Sequence, residues 1–465
     1  MGDTRRFRRL KPVIPAKAGI HLDSGSGKVD PGLRRDDELT QIPRLFDCDT
    51  RDWTKATLGD LIACGEGELQ TGPFGTVLKA SEYSCSGAPV ISVGEIQVGR
   101  IQLSDRTPRI SDATKQRLPQ FILENGDIVF GRKGGIDRNA LIGSREHGWF
   151  LGSDGIRLRL SQRFDSRFMS YQLRLPAIGK WLLGNSAASI MPSLNEGMLM
   201  RLPVRFPSLS EQRKIASVLA ALDAKIDLNH RINAELEALA KTIYDYWFVQ
   251  FDFPDAHGRP YKSSGGAMVW NDTLKREIPA GWGDGVLSDI ADITMGQSPS
   301  GDSYNEEGLG TVFFQGSTDF GIRSPEVRMF TTAPSRMARD GDILVSVRAP
   351  VGTLNIADRA CCIGRGLAAL HSKSGFDAFL FRVMADFKQV FDRRSGEGTT
   401  FGSITKDDLF GLKVLIPEVH ILQAHARVAN DWVRLAALRD KETHELTRLR
   451  DWLLPLLMNG QVRVA

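Results

Sequence analysis

Apolar residues recur every three to four positions between Glu211 and Gln250: Ile215, Leu219, Leu222 and Ile226, then Ile232, Leu236, Leu239, Ile243 and Trp247. That spacing places them on one stripe of an α-helix. Neither Pro nor Gly interrupts the run, Ser208 and Ser210 precede it as N-cap candidates, and Phe251-Asp252-Phe253-Pro254 stops it. At ~1.5 Å per residue the predicted rod is roughly 60 Å long. A rod of that length needs a partner for its stripe.

From 44 to 208 the pattern is one of short segments. PVISVGEI (89–96), GDIVFGR (126–132) and GIRLRLS (155–161) read as strands, and RFMSYQLRL (167–175) as a short helix. Residues 251–283 contain Pro, Gly and Ser and suit a tether. The first half then recurs. LSDIA (287–291) repeats LGDLI (58–62), GTVFFQGSTDFG (310–321) sits where PVISVGEIQVG did, and GDILVSVRAPVGTLNIA (341–357) echoes GDIVFGRKGGIDRNALI (126–142). The closing region aligns at a constant offset, pairing Leu202 with Leu412, Val204 with Val414, Pro207 with Pro417, Leu236 with Leu446, Leu239 with Leu449 and Ile243 with Leu453.

A second long helix is therefore predicted over Val419–Met458, with a stripe of Val428, Trp432, Leu435, Leu446, Leu449, Leu453 and Leu457, and Pro455 kinking or fraying its last turn. Two helices with matched stripes pair most simply as an antiparallel coiled coil. Asn229 and Asn233 fall at a/d-type positions of one heptad frame, where polar residues fix register; plain exposure to solvent explains them equally well. The expected fold class is α+β: two similar mixed α/β domains held apart by the two helices. The boundaries are a disordered basic extension (1–43), a first domain (44–208), a first helix (209–250), a linker (251–283), a second domain (284–417), a second helix (418–460) and a tail (461–465). The extension also fits translated intergenic DNA, with the functional start further downstream.

Composition changes this picture little. With 42% hydrophobic and 25% charged residues the chain is an ordinary globular one. The net charge of +4 is unevenly spread: residues 209–465 hold 30 Lys/Arg against 33 Asp/Glu, so any nucleic-acid surface must be a local patch. The cysteines, Cys48, Cys64, Cys85, Cys361 and Cys362, form no CxxC pair, which favours a reduced, cytoplasmic chain. No apolar run approaches the ~20 residues that cross a bilayer.

The catalytic inventory is negative. GxxxxGK[ST], HExxH, GxSxG and NPPY-type motifs are absent, the eight histidines are scattered, and Asp386-Phe387-Lys388 alone makes no nuclease site. Gly364-Arg365-Gly366 begins a formal GxGxxA, but it leads into a strand rather than a helix and reads as a turn. The positive signal is basic residues on matched loops. Arg132 and Lys133 follow one strand, with Arg138 and Asn139 shortly after; Arg348 follows the repeated strand, with Asn355 after it; Arg393 and Arg394 precede SGEGTTFGS. Arg and Asn are the side chains that bond guanine and adenine edges bidentately.

These features, in this order, resemble the specificity subunits of Type I restriction–modification systems. The resemblance covers about 44–465 and rests on PVRFPSLSEQRKIASVLAALDAKI (203–226), TIYDYWFVQFDFP (242–254), GDILVSVRAPVG (341–352) and LRDWLLPLLMNG (449–460). The second helix departs from it, opening PEVHILQAHARVANDW without the EQRKI of the first. The resemblance implies a non-catalytic reader of double-stranded DNA, each domain reading half of an asymmetric bipartite site, with the helices as a ruler. It also implies two methyltransferase subunits docked on the helices and motor-nuclease subunits joining them. S-adenosylmethionine, ATP and Mg²⁺ would belong to those partners, with no cofactor or metal in this chain and no membrane contact. Candidate spacer and docking residues are Gln212, Ile215, Leu219, Leu222, Ile226, Leu236, Leu239, Ile243, Trp247, Leu446, Leu449 and Leu453. A fused or stand-alone methyltransferase or nuclease module, and a coiled-coil scaffold that does not bind DNA, are the alternatives.

Overall fold

The computed structural model describes residues 53–186, 192–396 and 403–464; the expected extension 1–43 lies outside them. Each half of the chain begins with a strand that pairs with the strand leading into its long helix. Thr54–Thr57 runs antiparallel to Pro203–Phe206, and Gly283–Val286 antiparallel to Lys413–Ile416. The Leu58 N–H donates to the Leu202 carbonyl at 3.0 Å, and the Leu287 N–H to the Leu412 carbonyl at 2.8 Å. Each unit thus leaves and rejoins the rest of the chain at one place.

Between those ends the two units share a topology. In the first, strands Gly67–Thr71, Gly155–Leu160, Ile128–Gly131 and Asn139–Leu141 form an antiparallel sheet in that spatial order. In the second the order is Ala291–Met295, Leu367–Ser372, Ile343–Ser346 and Leu354–Ile356. A smaller sheet accompanies each and contains one parallel pair, Ala88–Ile91 with Phe150–Leu151 and Thr311–Phe314 with Cys361–Ile363. The helix expected over 167–175 spans Ser166–Leu173.

The first long helix spans Leu209–Tyr244 and ends in a π turn over Asp245–Val249. The Glu211 N–H donates to Ser208 Oγ at 3.4 Å, so Ser208 is the cap and Ser210 lies inside the helix. The second long helix spans Val419–Met458, and Pro455 is accommodated within its last turn without breaking it.

The two long helices run antiparallel: Asp223 meets Arg450 (3.0 Å), Asn229 meets Glu442 (3.0 Å) and Asn233 meets Asp440 (2.7 Å). The seam keeps a seven-residue period, as a coiled coil requires, but it is not the leucine stripe expected. The second helix turns Ala429, Ala436 and Thr443 inward, with Ala429 and Ala436 one position from the predicted Val428 and Leu435, while Leu457 is buried as predicted. The first helix buries Ile226, Asn229 and Asn233 against it. Leu239 and Leu449 are exposed, and Leu222, Leu236 and Leu446 are half-buried. Small alanines let the backbones approach, and the asparagines then find carboxylate and carbonyl partners across the gap. Asn233 Nδ2 donates to both Asp440 Oδ1 and the Ala436 carbonyl, the latter at 3.3 Å. Of the two readings of these asparagines, the one that puts them in the seam is what the structure shows.

Replacing Asn233 by Leu is expected to lower stability by about 1–3 kcal/mol, because Asp440 loses a buried donor. Urea unfolding of the full chain checks this through a lower midpoint at unchanged slope; an equal or higher midpoint would show that the seam gains nothing from the bond.

Apolar clusters fasten a unit to each end of the helix pair. At one end Ile215, Ala216 and Leu219 of the first helix and Leu454, Leu457 and Met458 of the second join Trp53, Phe168 and Val204 in the first unit's core. At the other end Tyr244, Trp247, Phe248, Ile421 and Leu422 join Trp282, Phe379 and Leu380 of the second. Trp247, Ile243 and Leu453 therefore pack within this chain, against the cores of its own two units. Gln212 is also internal: its Nε2 donates to the Pro207 carbonyl (2.9 Å) and its Oε1 accepts the Asp165 N–H (3.0 Å).

The connector 251–283 is not slack chain. Phe251, Phe253 and Trp282 are buried in the second cluster, and a hairpin of Met268–Asn271 and Arg276–Pro279 lies between them. Three aromatics in a Gly- and Ser-containing stretch supply the burial that holds it down.

Candidate nucleic-acid interface

Beyond the strand Ile128–Gly131 the chain makes a tight turn through Arg132 and Lys133, with Gly134 at a φ of 74°. Residues 192–194 hold this turn: the Leu194 N–H donates to the Arg132 carbonyl (2.8 Å), and Lys133 bridges Ser193. In the second unit the Ile404 N–H donates to the Val347 carbonyl (2.8 Å), and Arg348 bridges Ser403. Arg348 thus occupies the position of Lys133, while Arg132 corresponds to the buried Val347. The two units place a cation at the same spot.

Around that spot the first unit adds a feature the sequence reading missed. The Arg132 guanidinium lies over the Phe74 ring at 4.3 Å, and Phe74 is 49% exposed. Cation and ring stabilise each other in such a stack and present a flat, positively charged plate. Phe74 sits in TGPFG (71–75), whose exposed aromatic between glycines was the available signal. Lys133 Nζ is 3.2 Å from Asp154 Oδ1, a mostly solvated pair whose attraction is too weak to keep the amine from another anion. Arg138 is exposed with its stem against Gly135. The second unit carries exposed Arg348 and Arg365 at its rim, and the Arg365 N–H donates to Ser298 Oγ at 3.4 Å. Gly364 and Gly366 flank Arg365 because a Cβ there would approach Gln315 backbone at 3.0 and 2.8 Å, which makes GxGxxA a packing turn.

Two candidates do not belong to this surface. Asn139 is fully buried and its Oδ1 accepts from Ser170 Oγ at 3.0 Å. Asn355 is 2% exposed, donates to the Gly321 carbonyl and accepts the Ile356 N–H, each at 3.0 Å. Both are strand residues facing inward, where their amides satisfy neighbouring polar groups instead of reaching outward. Arg393 and Arg394 fall in the helix ending at Gly396, and their side chains lie outside the described residues.

Other arginines are consumed internally. Arg157 is buried, bonded to Glu68 and to the Gln120 carbonyl, and desolvation together with Arg159 lowers its pKa. Arg159 chelates Asp127 through Nε and Nη2 at 2.7 and 2.8 Å. Among the described residues no group of His, Cys, Asp and Glu is arranged to hold a metal ion, and no helix is long and apolar enough to cross a membrane.

A family model for the Type I restriction modification DNA specificity domain matches residues 50–238. The putative type I restriction enzyme MjaX specificity subunit of Methanocaldococcus jannaschii is 29% identical over 389 residues, covering 81% of this chain and 88% of its own. The chain is thus similar, over most of its length, to specificity subunits of Type I restriction–modification systems. The MjaIX specificity subunit of the same organism is 24% identical over 313 residues, covering 64% of this chain and 69% of its own. Among solved structures, the S subunit of a Type-I restriction-modification system from M. genitalium shares the fold at a TM-score of 0.52 and 16% identity, over 87% of this chain and 96% of that one.

Proposed function

We propose that this chain is a Type I restriction–modification specificity subunit that reads an asymmetric, bipartite sequence on double-stranded DNA, one half with each unit, and directs adenine methylation or restriction carried out by partner subunits. One observation carries the reading: equivalent loops of the two units put a cation at the same place, and the units sit at opposite ends of one stiff helix pair. Duplicated readers on a fixed spacer suit two sites separated along a duplex that advances ~34 Å per turn. Lys133, Arg138, Arg348 and Arg365 supply phosphate and base-edge donors, and the Arg132–Phe74 plate suits an apolar or stacked contact.

The partners in this reading are two methyltransferase subunits and the motor-nuclease subunits, with S-adenosylmethionine, ATP and Mg²⁺ bound by them, working in the cytoplasm. Apolar surface remains for such docking on the outer faces of the helices, where Leu228, Leu239, Leu438, Leu449 and Trp452 are 40 to 63% exposed. The test is the genomic methyladenine motif with and without this protein. The expected result is a two-part motif that vanishes with the gene. A methylome unchanged by its removal would overturn the proposal.

A further inference from the structure

The apolar clusters attach each unit at an outer end of the helix pair. One greasy attachment allows rocking, since dispersion and burial have little directional preference. Each unit also has a second, polar attachment further in: the second unit's grips both helices directly, and the first unit's grips a first-helix carboxylate that is itself paired with the second helix.

In the second unit Arg323 is the centre. Its Nη1 is 2.7 Å from Glu237 Oε1 on the first helix, and its Nε is 3.3 Å from Asp440 Oδ2 on the second. Asn233 holds the other oxygen of Asp440 (2.7 Å), and Arg382 Nη2 donates to the Glu237 carbonyl (2.7 Å). In the first unit the centre is Asp223 of the first helix. It accepts from Tyr171 Oη (2.7 Å), lies 3.8 Å from Arg174 Nη2, and pairs with Arg450 of the second helix at 3.0 Å. Arg174 packs over the Tyr171 ring at 4.2 Å, which fixes its direction. These groups are mostly shielded: the side chains of Arg323 and Arg174 are 14% and 10% exposed. Partial desolvation strengthens such pairs relative to surface ones.

Arg323 lines a cleft of about 290 Å³ together with Arg100 and Gln102 of the first unit, over His230 and Asn233. The second unit's clamp is also set apart from its candidate reader. The Ile356 N–H donates to the Arg323 carbonyl beside the Ile343 end of its strand pair, whereas Arg348 lies past the Ser346 end. The carboxylates gripped on the first helix, Asp223 and Glu237, are about 21 Å apart at ~1.5 Å per residue.

We infer that the Arg323–Glu237–Asp440 and Asp223–Tyr171–Arg174–Arg450 clusters are positioning clamps that fix the tilt of each reading unit, and thereby how strictly the distance between the two half-sites is measured. For a lever of roughly 25 Å, a rocking of about 8° moves the reading tip by one base-pair rise of ~3.4 Å. Helix length alone cannot reject an off-by-one site; the clamps can.

This inference rests on the two-part reading, and the experiment separates the two. The full chain, with the methyltransferase subunits of its system, is given a duplex library in which the half-sites stand at the native separation or one base pair nearer or further. The wild type is expected to methylate the native separation. Arg323→Ala and Asp223→Asn are expected to raise the off-length fraction roughly tenfold with the bases of both half-sites unchanged, and Arg323→Lys to restore part of the discrimination. Should Arg323→Ala not fold, Glu237→Gln carries the same test, since Glu237 is 54% exposed. Off-length methylation equal to wild type in folded variants overturns the clamps alone. A wild type indifferent to separation overturns the two-part reading, and the clamps with it.

Discussion

One heptad inserted into each long helix, after Arg231 in the first and after Lys441 in the second, is expected to lengthen the separation between recognised half-sites and leave both halves unaltered. The two insertion points lie at one level of the antiparallel pair, between the Asn229–Glu442 and Asn233–Asp440 contacts. Each contact stays with its own unit. Seven residues add about 10.5 Å and fall only ~20° short of two full turns, so the units keep nearly the same face. Along a duplex with a rise of ~3.4 Å this is at most about three base pairs. A single turn inserted near Asn229 in one helix alone also shifts the spacing, but it splits the polar seam and is expected to cost stability as well. Methylome sequencing reads the outcome directly. An unchanged separation in a folded double-insertion variant would end the ruler.

The second large effect concerns residues 284–417. Exchanging them for the corresponding segment of a Type I specificity subunit is expected to change one half of the proposed recognition sequence and spare the other. The junctions suit the exchange because Gly283–Val286 and Lys413–Ile416 are antiparallel neighbours, so both cuts fall at one place. The incoming segment must retain apolar residues facing Tyr244, Phe248 and Ile421. A change in both halves would mean that reading is shared across the units.

Much of the architecture was legible because it rests on periodicity and repetition. The bounds of the second helix, the strand at Ile128–Gly131 and the equivalence of Leu202 with Leu412 all follow from patterns that the backbone obeys locally. On the middle of the second helix the seam was read about one position off. Leucines at 3–4 spacing look like an interface, yet Ala429, Ala436 and Thr443 occupy it and Leu449 faces outward, because close approach favours small side chains. The connector was misjudged for a related reason: its composition is loop-like, but three aromatics decide its burial.

At the candidate interface, a residue type was a poor guide without its direction. Asn139 and Asn355 have amides suited to bases and spend them inside the fold. Lys133 and Arg348 are matched only once the turn around them is seen to be held by equivalent backbone bonds. Phe74 is not basic, so a search for cations passed over it. Arg323 lies outside every motif, and its two carboxylate partners are 86 and 117 residues away in the chain, separations that no local pattern reveals.

The first unit's core includes Leu454, Leu457 and Met458. At ~5–20 residues per second, a ribosome that has just made Leu219 needs roughly 10 to 50 s more to reach those three. Throughout that interval the nascent first unit offers an unfilled apolar face to chaperones. Synthesis to the last turn of the second helix is therefore also the step that seals the part made first.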